Sequence, residues 1–340
     1  MSLLVDIETA KMIYIHINLK AGELMRTKSY TAIIIGIISA FFFSLTFVLN
    51  EVMANSHGYW LWTASLRYLW TLPMMLIVMW LPLTHSSFKK VFKSISAHKW
   101  SWLIWSQFCF VLFYAPLCLA SLYLPGWLVS STWQFTIICG VLLTPLVKVP
   151  IIDNSVVKYQ RLKIPYRSLP WTVLILSGVL LTVINYSQQL NGIAHLGLSL
   201  ISLLIAAISY PLGNRKVMAA SPEVNGVEKV FGMLICSYPT WIILAIISYF
   251  KAGAPTVGML ENTFSVALSS GVVATVLFFQ ATSMVAKHMP SLAKVEATQS
   301  MEVVFSVLLS VLFLGHAIPG GWQLAGLIIM VIGIIGISLR

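Results

Sequence analysis

Runs of about 20 apolar residues, parted by short polar breaks, recur along nearly the whole chain. A hydrocarbon layer of about 30 Å needs about 20 apolar residues per helix. The breaks place ten such helices at roughly 31–50, 59–82, 100–123, 126–147, 170–190, 195–213, 227–249, 263–285, 289–314 and 320–339. The pattern therefore predicts an all-α polytopic membrane protein with ten transmembrane helices.

The two halves of the pattern share a register. Ser44, Val52, Met53 and Ala54 of the first helix recur 165 residues later as Ser209, Val217, Met218 and Ala219 of the sixth, and Pro125 and Gln134 recur as Pro290 and Gln299. Five helices per copy is an odd number, so the second copy enters the membrane inverted. The expected organisation is an extension over 1–28, a first five-helix repeat over 29–190 and a second over 191–340. Lys20-Ala21-Gly22-Glu23-Leu24, just before Met25, has the coding potential of a ribosome-binding site, so synthesis is expected to start at Met25. Inverted repeats are the architecture of many alternating-access transporters, with the substrate site near the midplane between the halves.

Charge fixes the expected orientation. Of the 21 Lys and Arg residues, all but Arg67, Lys251 and Lys294 fall in the termini and in alternate breaks on one side. By the positive-inside rule that side is cytoplasmic, with both termini there. The net charge of +11 is thus a topology signal spread over short breaks, not a basic face for nucleic acid. Only 9% of residues are charged and 59% are hydrophobic, against about 25% charged for a soluble domain, which excludes a soluble fold. The four cysteines lie in apolar runs without metal-ligand spacing and read as small buried hydrophobes.

The ninth span, VEATQSMEVVFSVLLSVLFLGH over 295–316, carries the densest polar chemistry. At 100° per residue, Lys294, Glu296, Thr298, Gln299, Glu302, Ser306 and Ser310 share one side, and Ala297, Met301, Val304, Leu308 and Val311 the other. Glu302 lies about midway through the bilayer. A carboxylate there costs at least about 2.5–3.5 kcal/mol, so it is expected to face a cavity, hold a proton or bind a partner. Glu302 is the candidate proton-coupling residue, with a fixed ion pair to Arg67 as the structural alternative. Arg67 itself would bind an anionic substrate, counter Glu302 or snorkel outward. Glu296, nearer the cytoplasmic end, serves entry or gating, or snorkels.

The fourth span places Ser130, Ser131, Thr132, Trp133, Gln134 and Thr136 together, and is expected to face the ninth. Gln134, Gln299, Trp133 and Tyr114 join Arg67 and Glu296 as candidate substrate contacts, the aromatic faces suiting an organic cation. Trp100, Trp102 and Trp171 are read as interfacial anchors. Gly326 and Gly333 form a small-residue stripe for close helix packing, within the chain or between subunits. There is no GxxxxGK[ST] phosphate loop and no HExxH, and the histidines lie in breaks or at helix ends, so neither an enzyme nor a cofactor is expected.

ASLRYLWTLP over 64–73, the stretch 271–309 containing VEATQSMEVVFS, and the glycine-bearing last helix are similar to the drug/metabolite transporter superfamily. The nearest resemblance is to its multidrug resistance efflux transporter branch, related to EamA-type permeases. The resemblance implies a ten-helix carrier in the cell membrane, with cytoplasmic termini and a central cavity, exporting small organic compounds or metabolites. The last helix also resembles the dimer-forming helix of the small four-helix multidrug pumps, which implies that Gly326 and Gly333 pack the halves of a monomer or weak homodimer. His316 departs from the pattern, since EamA-type chains commonly carry an acid there. The expected function is proton-coupled export of a hydrophobic cation or zwitterion, with the substrate, protons and the lipid bilayer as partners. A carrier for anionic or zwitterionic metabolites of amino acid or nucleoside type remains an alternative, as does a membrane enzyme or scaffold for lipid-linked substrates.

Overall fold

A computed structural model describes the backbone of residues 2–146, 148–153, 156–161, 169–187, 193–285, 291, 294–296 and 298–338. Pro290, and the basic residues Lys163, Arg167, Lys287 and Arg340 that entered the charge argument, lie outside the described residues. The chain is helical almost throughout. Helix α1 covers Ser2–Asn55, α2 Trp60–Trp80 and α3 Phe88–Ala97. Helix α4 runs Lys99–Ala120 and α5 Gly126–Leu142. Then come α6 (Leu169–Ser187), α7 (Ile193–Ala220) and α8 (Gly226–Ala252). Helix α9 spans Val257–Val285, α10 Met301–Leu314 and α11 Gly321–Ser338.

Seven of the helical segments are long and apolar enough to cross a bilayer, and Gly126–Leu142, Leu169–Ile184 and Gly321–Gly336 are shorter apolar helices. These segments overlap the ten expected runs, seven of them at spanning length. Two further elements were not foreseen. The amphipathic α3 links the second and third spans, and β1 (Lys148–Asp153) pairs antiparallel with β2 (Val156–Arg161), Lys148 opposite Arg161. The β-branched run VPII facing VVKY favours this hairpin.

Helix ends follow local chemistry. Asn225 accepts from the Glu228 N–H at 2.9 Å while the Glu228 carboxylate accepts from the Asn225 N–H at 2.7 Å, a reciprocal cap that starts α8. Helix α10 ends on Gly315 at φ 68°, a left-handed closure that glycine adopts without strain. Two helices contain wider turns of π type, Gln107–Val111 within α4 and Ala267–Ala274 within α9. Such turns are rare and frequently mark functional sites. At the turn in α4, Gln107 donates to the Cys236 carbonyl at 3.0 Å and accepts from Thr240 at 2.8 Å.

The packing pairs helices across the two halves. Helix α1 lies on α9 and α10, and α7 lies on α4 and α5. Helix α2 packs on α8, α5 on α10, and α6 on α11. A Cβ on Gly178 would stand 2.6 Å from the Gly326 carbonyl oxygen, so bare backbones meet between α6 and α11. Gly333 likewise seats Ile175, and Gly336 seats the Trp171 ring. The glycine stripe therefore packs inside the chain. Trp102 corrects the anchor reading: it is 0% exposed, slotted against Gly232 of α8 and Val91, whereas Trp100 is open at 75%. Cys109, Cys118, Cys139 and Cys236 are all buried free thiols.

Candidate functional site

Helix α10 is two-faced as its periodicity predicts. Thr298, Glu302, Ser306 and Ser310 are buried, while Leu308, Leu312 and Phe313 point outward, Leu312 at 74% exposure. A 3₁₀ turn over Thr298–Ser300 precedes the helix, so Gln299 sits on irregular backbone just below Glu302. Its register mate Gln134 also marks a break, the turn between the α-helical stretches Gly126–Trp133 and Phe135–Leu142 of α5. The polar stretch of α5 does face α10: Ser130 and Ser306 share a short hydroxyl–hydroxyl hydrogen bond.

Glu302 is 7% exposed and, among the described residues, has no ion-pair or hydrogen-bond partner. The fixed pair with Arg67 is absent. Arg67 instead donates from Nη2 to the Ser270 hydroxyl at 2.9 Å and lies 4.0 Å from the Tyr114 ring centroid and 5.5 Å from that of Tyr68. Its Nη1 is buried without an acceptor among the described residues. Burial also excludes the snorkelling reading of Arg67.

Aromatic rings pack beside Arg67 and continue away from it. Tyr210 of α7 is within electrostatic reach of both Glu302 and Arg67. It contacts Trp133 at 5.6 Å and Phe113 at 4.9 Å between centroids, and Phe113 contacts Trp133 at 4.8 Å and Tyr114 at 5.9 Å. Tyr114 is held by its hydroxyl donating to Asn50 Oδ1 at 2.9 Å. Trp133 and Tyr114 thus share one aromatic cluster, which touches Arg67 through Tyr114 and includes Tyr210, within electrostatic reach of Glu302. Tyr210 and Phe113 were missed by the sequence reading, because one aromatic among many in apolar helices carries no periodic signal.

Among the described residues, Thr46 of α1, Thr132 of α5, and Gln299 and Ser310 at α10 each leave a buried polar atom without a protein partner. Such atoms cost about 1–3 kcal/mol when left dry, so each position suits water or a polar group of a solute. Gln134 is more self-contained, its amide donating to the Ser130 carbonyl at 3.2 Å. Glu296 stands apart: it is exposed and interacts electrostatically with Arg215, whose guanidinium donates to the Gly140 carbonyl. No group of three or more His, Cys, Asp or Glu side chains suited to a metal occurs among the described residues.

At the opposite end of the bundle lies an acid the sequence reading passed over. Glu51, near the end of α1, is buried, accepts from the Gly126 N–H and pairs with His316. A carboxylate that closes an apolar run was the available signal.

Residues 30–340 match the family EmrE, described as "Putative multidrug resistance efflux transporter". The chain is also 40% identical over 303 residues to "Uncharacterized protein YjlA" of Bacillus subtilis (strain 168), covering 89% of this chain and 92% of that protein. It is 39% identical over 272 residues to "Uncharacterized 42.1 kDa protein in intracellular alkaline protease 3'region" of Shouchella clausii, covering 80% of this chain and 70% of that one. The family match spans the helices that carry Arg67, Trp133 and Glu302. The chain is a multi-pass integral membrane protein and belongs to the EmrE family of the drug/metabolite transporter superfamily, the "Putative multidrug resistance efflux transporter" family.

Proposed function

We propose that the protein is a secondary active exporter of small organic compounds, working by proton-coupled alternating access in the cell membrane. The observation that carries this reading is the buried Glu302 carboxylate with no counter-ion among the described residues. A group in that setting is stabilised by a proton or by a cationic group of the cargo, and the two compete for it. Arg67, Gln299, Gln134, Trp133 and Tyr114 contact the cargo, and Glu296 guards the cytoplasmic approach together with Arg215.

The inverted repeat, 29–190 against 191–340, belongs to the same proposal. Exchanging each helix for its counterpart five spans later turns the α1–α9 contact into the α7–α4 contact, and α1–α10 into α7–α5. The α2–α8, α6–α11 and α5–α10 pairs map onto themselves. The π turns fall in the third span of each half, and the breaks at Gln134 and Gln299 fall in the fourth. This regularity supports two halves that rock about a shared site. The charge bias supports cytoplasmic termini. Close packing of α6 on α11 supports a monomer whose halves are joined internally.

Purified protein in liposomes tests the reading. With an acidic interior, ethidium and a panel of aromatic amines and amino acids are offered outside, and a trapped pH dye reports proton exit. Solute-dependent proton movement is expected. Chemical alteration of the solute without movement would instead favour the enzyme alternative.

A further inference from the structure

We infer that the cargo is a zwitterion with an apolar or aromatic body, its carboxylate clamped by Arg67 and its ammonium directed to Glu302. This deepens the transport reading and rests on it. A guanidinium keeps its charge at any working pH, so Arg67 cannot escape the cost of burial by neutralising. Among the described residues its N–H groups find one side-chain acceptor, Ser270, at 2.9 Å, and Nη1 finds none. Ser270 is already committed, since its own hydroxyl donates to the Val266 carbonyl at 2.9 Å and its carbonyl accepts from Thr275 at 2.9 Å.

The surroundings fix the fork and leave its edge open. Tyr114 lies against the guanidinium, and Asn50 fixes the Tyr114 hydroxyl. The wide turn Ala267–Ala274 carries Ser270 at its centre and sets the Nη2 contact. A planar cation fixed on one face, with unmet N–H groups in its plane, is the geometry that takes a carboxylate through two parallel hydrogen bonds. Nη1 is closed to solvent in this conformation, so the carboxylate arrives when α2 and α9 part, as alternating access requires.

Glu302 supplies the opposite pole. A simple organic cation would satisfy Glu302 and leave Arg67 unmatched, and a simple anion would do the reverse. A zwitterion with its charges at opposite ends meets both, and the rings of Tyr114, Phe113, Trp133 and Tyr210, which start at Arg67 and include one within electrostatic reach of Glu302, accept its apolar body. The residue types at the two poles thereby select cargo by charge pattern more than by shape.

The test uses the full chain in lipid nanodiscs and three compounds on one scaffold whose two charges sit at opposite ends of a ring: 3-(4-(aminomethyl)phenyl)propanoate, its amide, which lacks the carboxylate, and 3-(4-methylphenyl)propanoate, which lacks the ammonium. The zwitterion is expected to bind about tenfold or more tightly than either. In Arg67→Gln the gap between the zwitterion and the amide closes through weaker binding of the zwitterion. In Glu302→Gln the gap between the zwitterion and 3-(4-methylphenyl)propanoate closes instead. The wild-type comparison stands even if a variant fails to fold. Equal or tighter binding of the amide, or binding of none of the three, overturns the inference. Ethidium-driven proton movement persisting beside either result would leave export standing and remove only the zwitterion requirement.

Discussion

His316 Nε2 lies 2.8 Å from Glu51 Oε1, while the other oxygen of that carboxylate accepts the Gly126 N–H at 2.6 Å. One side chain thus ties the end of α1 to the start of α5 and to the residue just beyond α10. The Gly126 N–H opens α5, where unsatisfied donors gather and a negative charge is favoured. Glycine is required there, since a Cβ would stand 2.5 Å from the Phe47 carbonyl oxygen.

Removing the carboxylate leaves a buried N–H without its acceptor. Glu51→Ala is expected to lower stability by about 1–3 kcal/mol, read as a drop in the thermal unfolding midpoint in detergent. Glu51→Gln retains an acceptor for Gly126 and loses less. His316→Ala, at a partly exposed position, loses least of the three. An Ala variant as stable as the parent would show that the clasp contributes nothing.

The contact between α6 and α11 predicts a steric asymmetry among glycines. Gly178→Val introduces atoms where the Gly326 carbonyl oxygen and the Met330 nitrogen already lie 2.6 and 2.8 Å from a Cβ. Backbone cannot move aside cheaply, so overpacking is expected to cost about 1–3 kcal/mol and reduce the yield of monodisperse protein. Gly197→Ala, with nothing within 4 Å, is expected to be neutral or slightly stabilising. Similar yields and midpoints for both variants would contradict the packing.

Glu228 makes a third case, because its charge partner is the lesser part of its role. Its Oε1 accepts the Ser87 N–H at 2.9 Å and its Oε2 the Asn225 N–H at 2.7 Å, beside a Lys90 contact at 3.2 Å. Lys90 is 42% exposed, so Lys90→Ala is expected to cost less than about 1 kcal/mol and to be weakened further by salt. Glu228→Ala orphans two amides and is expected to cost about 2 kcal/mol or more. Equal losses from the two variants, compared by unfolding midpoint at low and high salt, would refute this division.

Much of this molecule was legible along the chain. Helix spans follow from the length of apolar runs, and the buried face of α10 follows from the spacing of Thr298, Glu302, Ser306 and Ser310. The facing of α5 and α10 through Ser130 and Ser306 was also foreseen, because a polar stretch in a membrane must find another. What escaped depends on contacts between distant residues. Trp102 looks like an interfacial anchor until Gly232, on another helix, is seen to open a slot for its ring. The turn at Gln107 depends on Cys236 and Thr240 of α8. Glu51 and His316 each read as isolated groups at span ends, and only the fold makes them a pair. The hairpin over Lys148–Arg161 was hidden by the expectation that polar segments between spans are loops.

The aromatic cluster beside Arg67 was half legible. Trp133 and Tyr114 were singled out, but Tyr210, which lies within electrostatic reach of both Arg67 and Glu302, was not. Tyr210→Phe keeps the ring and removes the hydroxyl. It is expected to preserve stability while altering solute affinity by several-fold, since a hydroxyl within electrostatic reach of a buried carboxylate contributes through its dipole. Unchanged affinity for every solute that moves would place Tyr210 outside the site.

In the proposed exporter, protons and cargo compete for the buried carboxylate of Glu302. The most direct measurement compares wild type and Glu302→Gln in liposomes, at matched protein orientation, by the proton exit triggered when a transported solute is added. Wild type is expected to release protons in proportion to solute moved. Glu302→Gln is expected to bind solute and exchange it against unlabelled solute at equilibrium, yet to release none. Proton release from the Gln variant at the wild-type ratio would contradict the account.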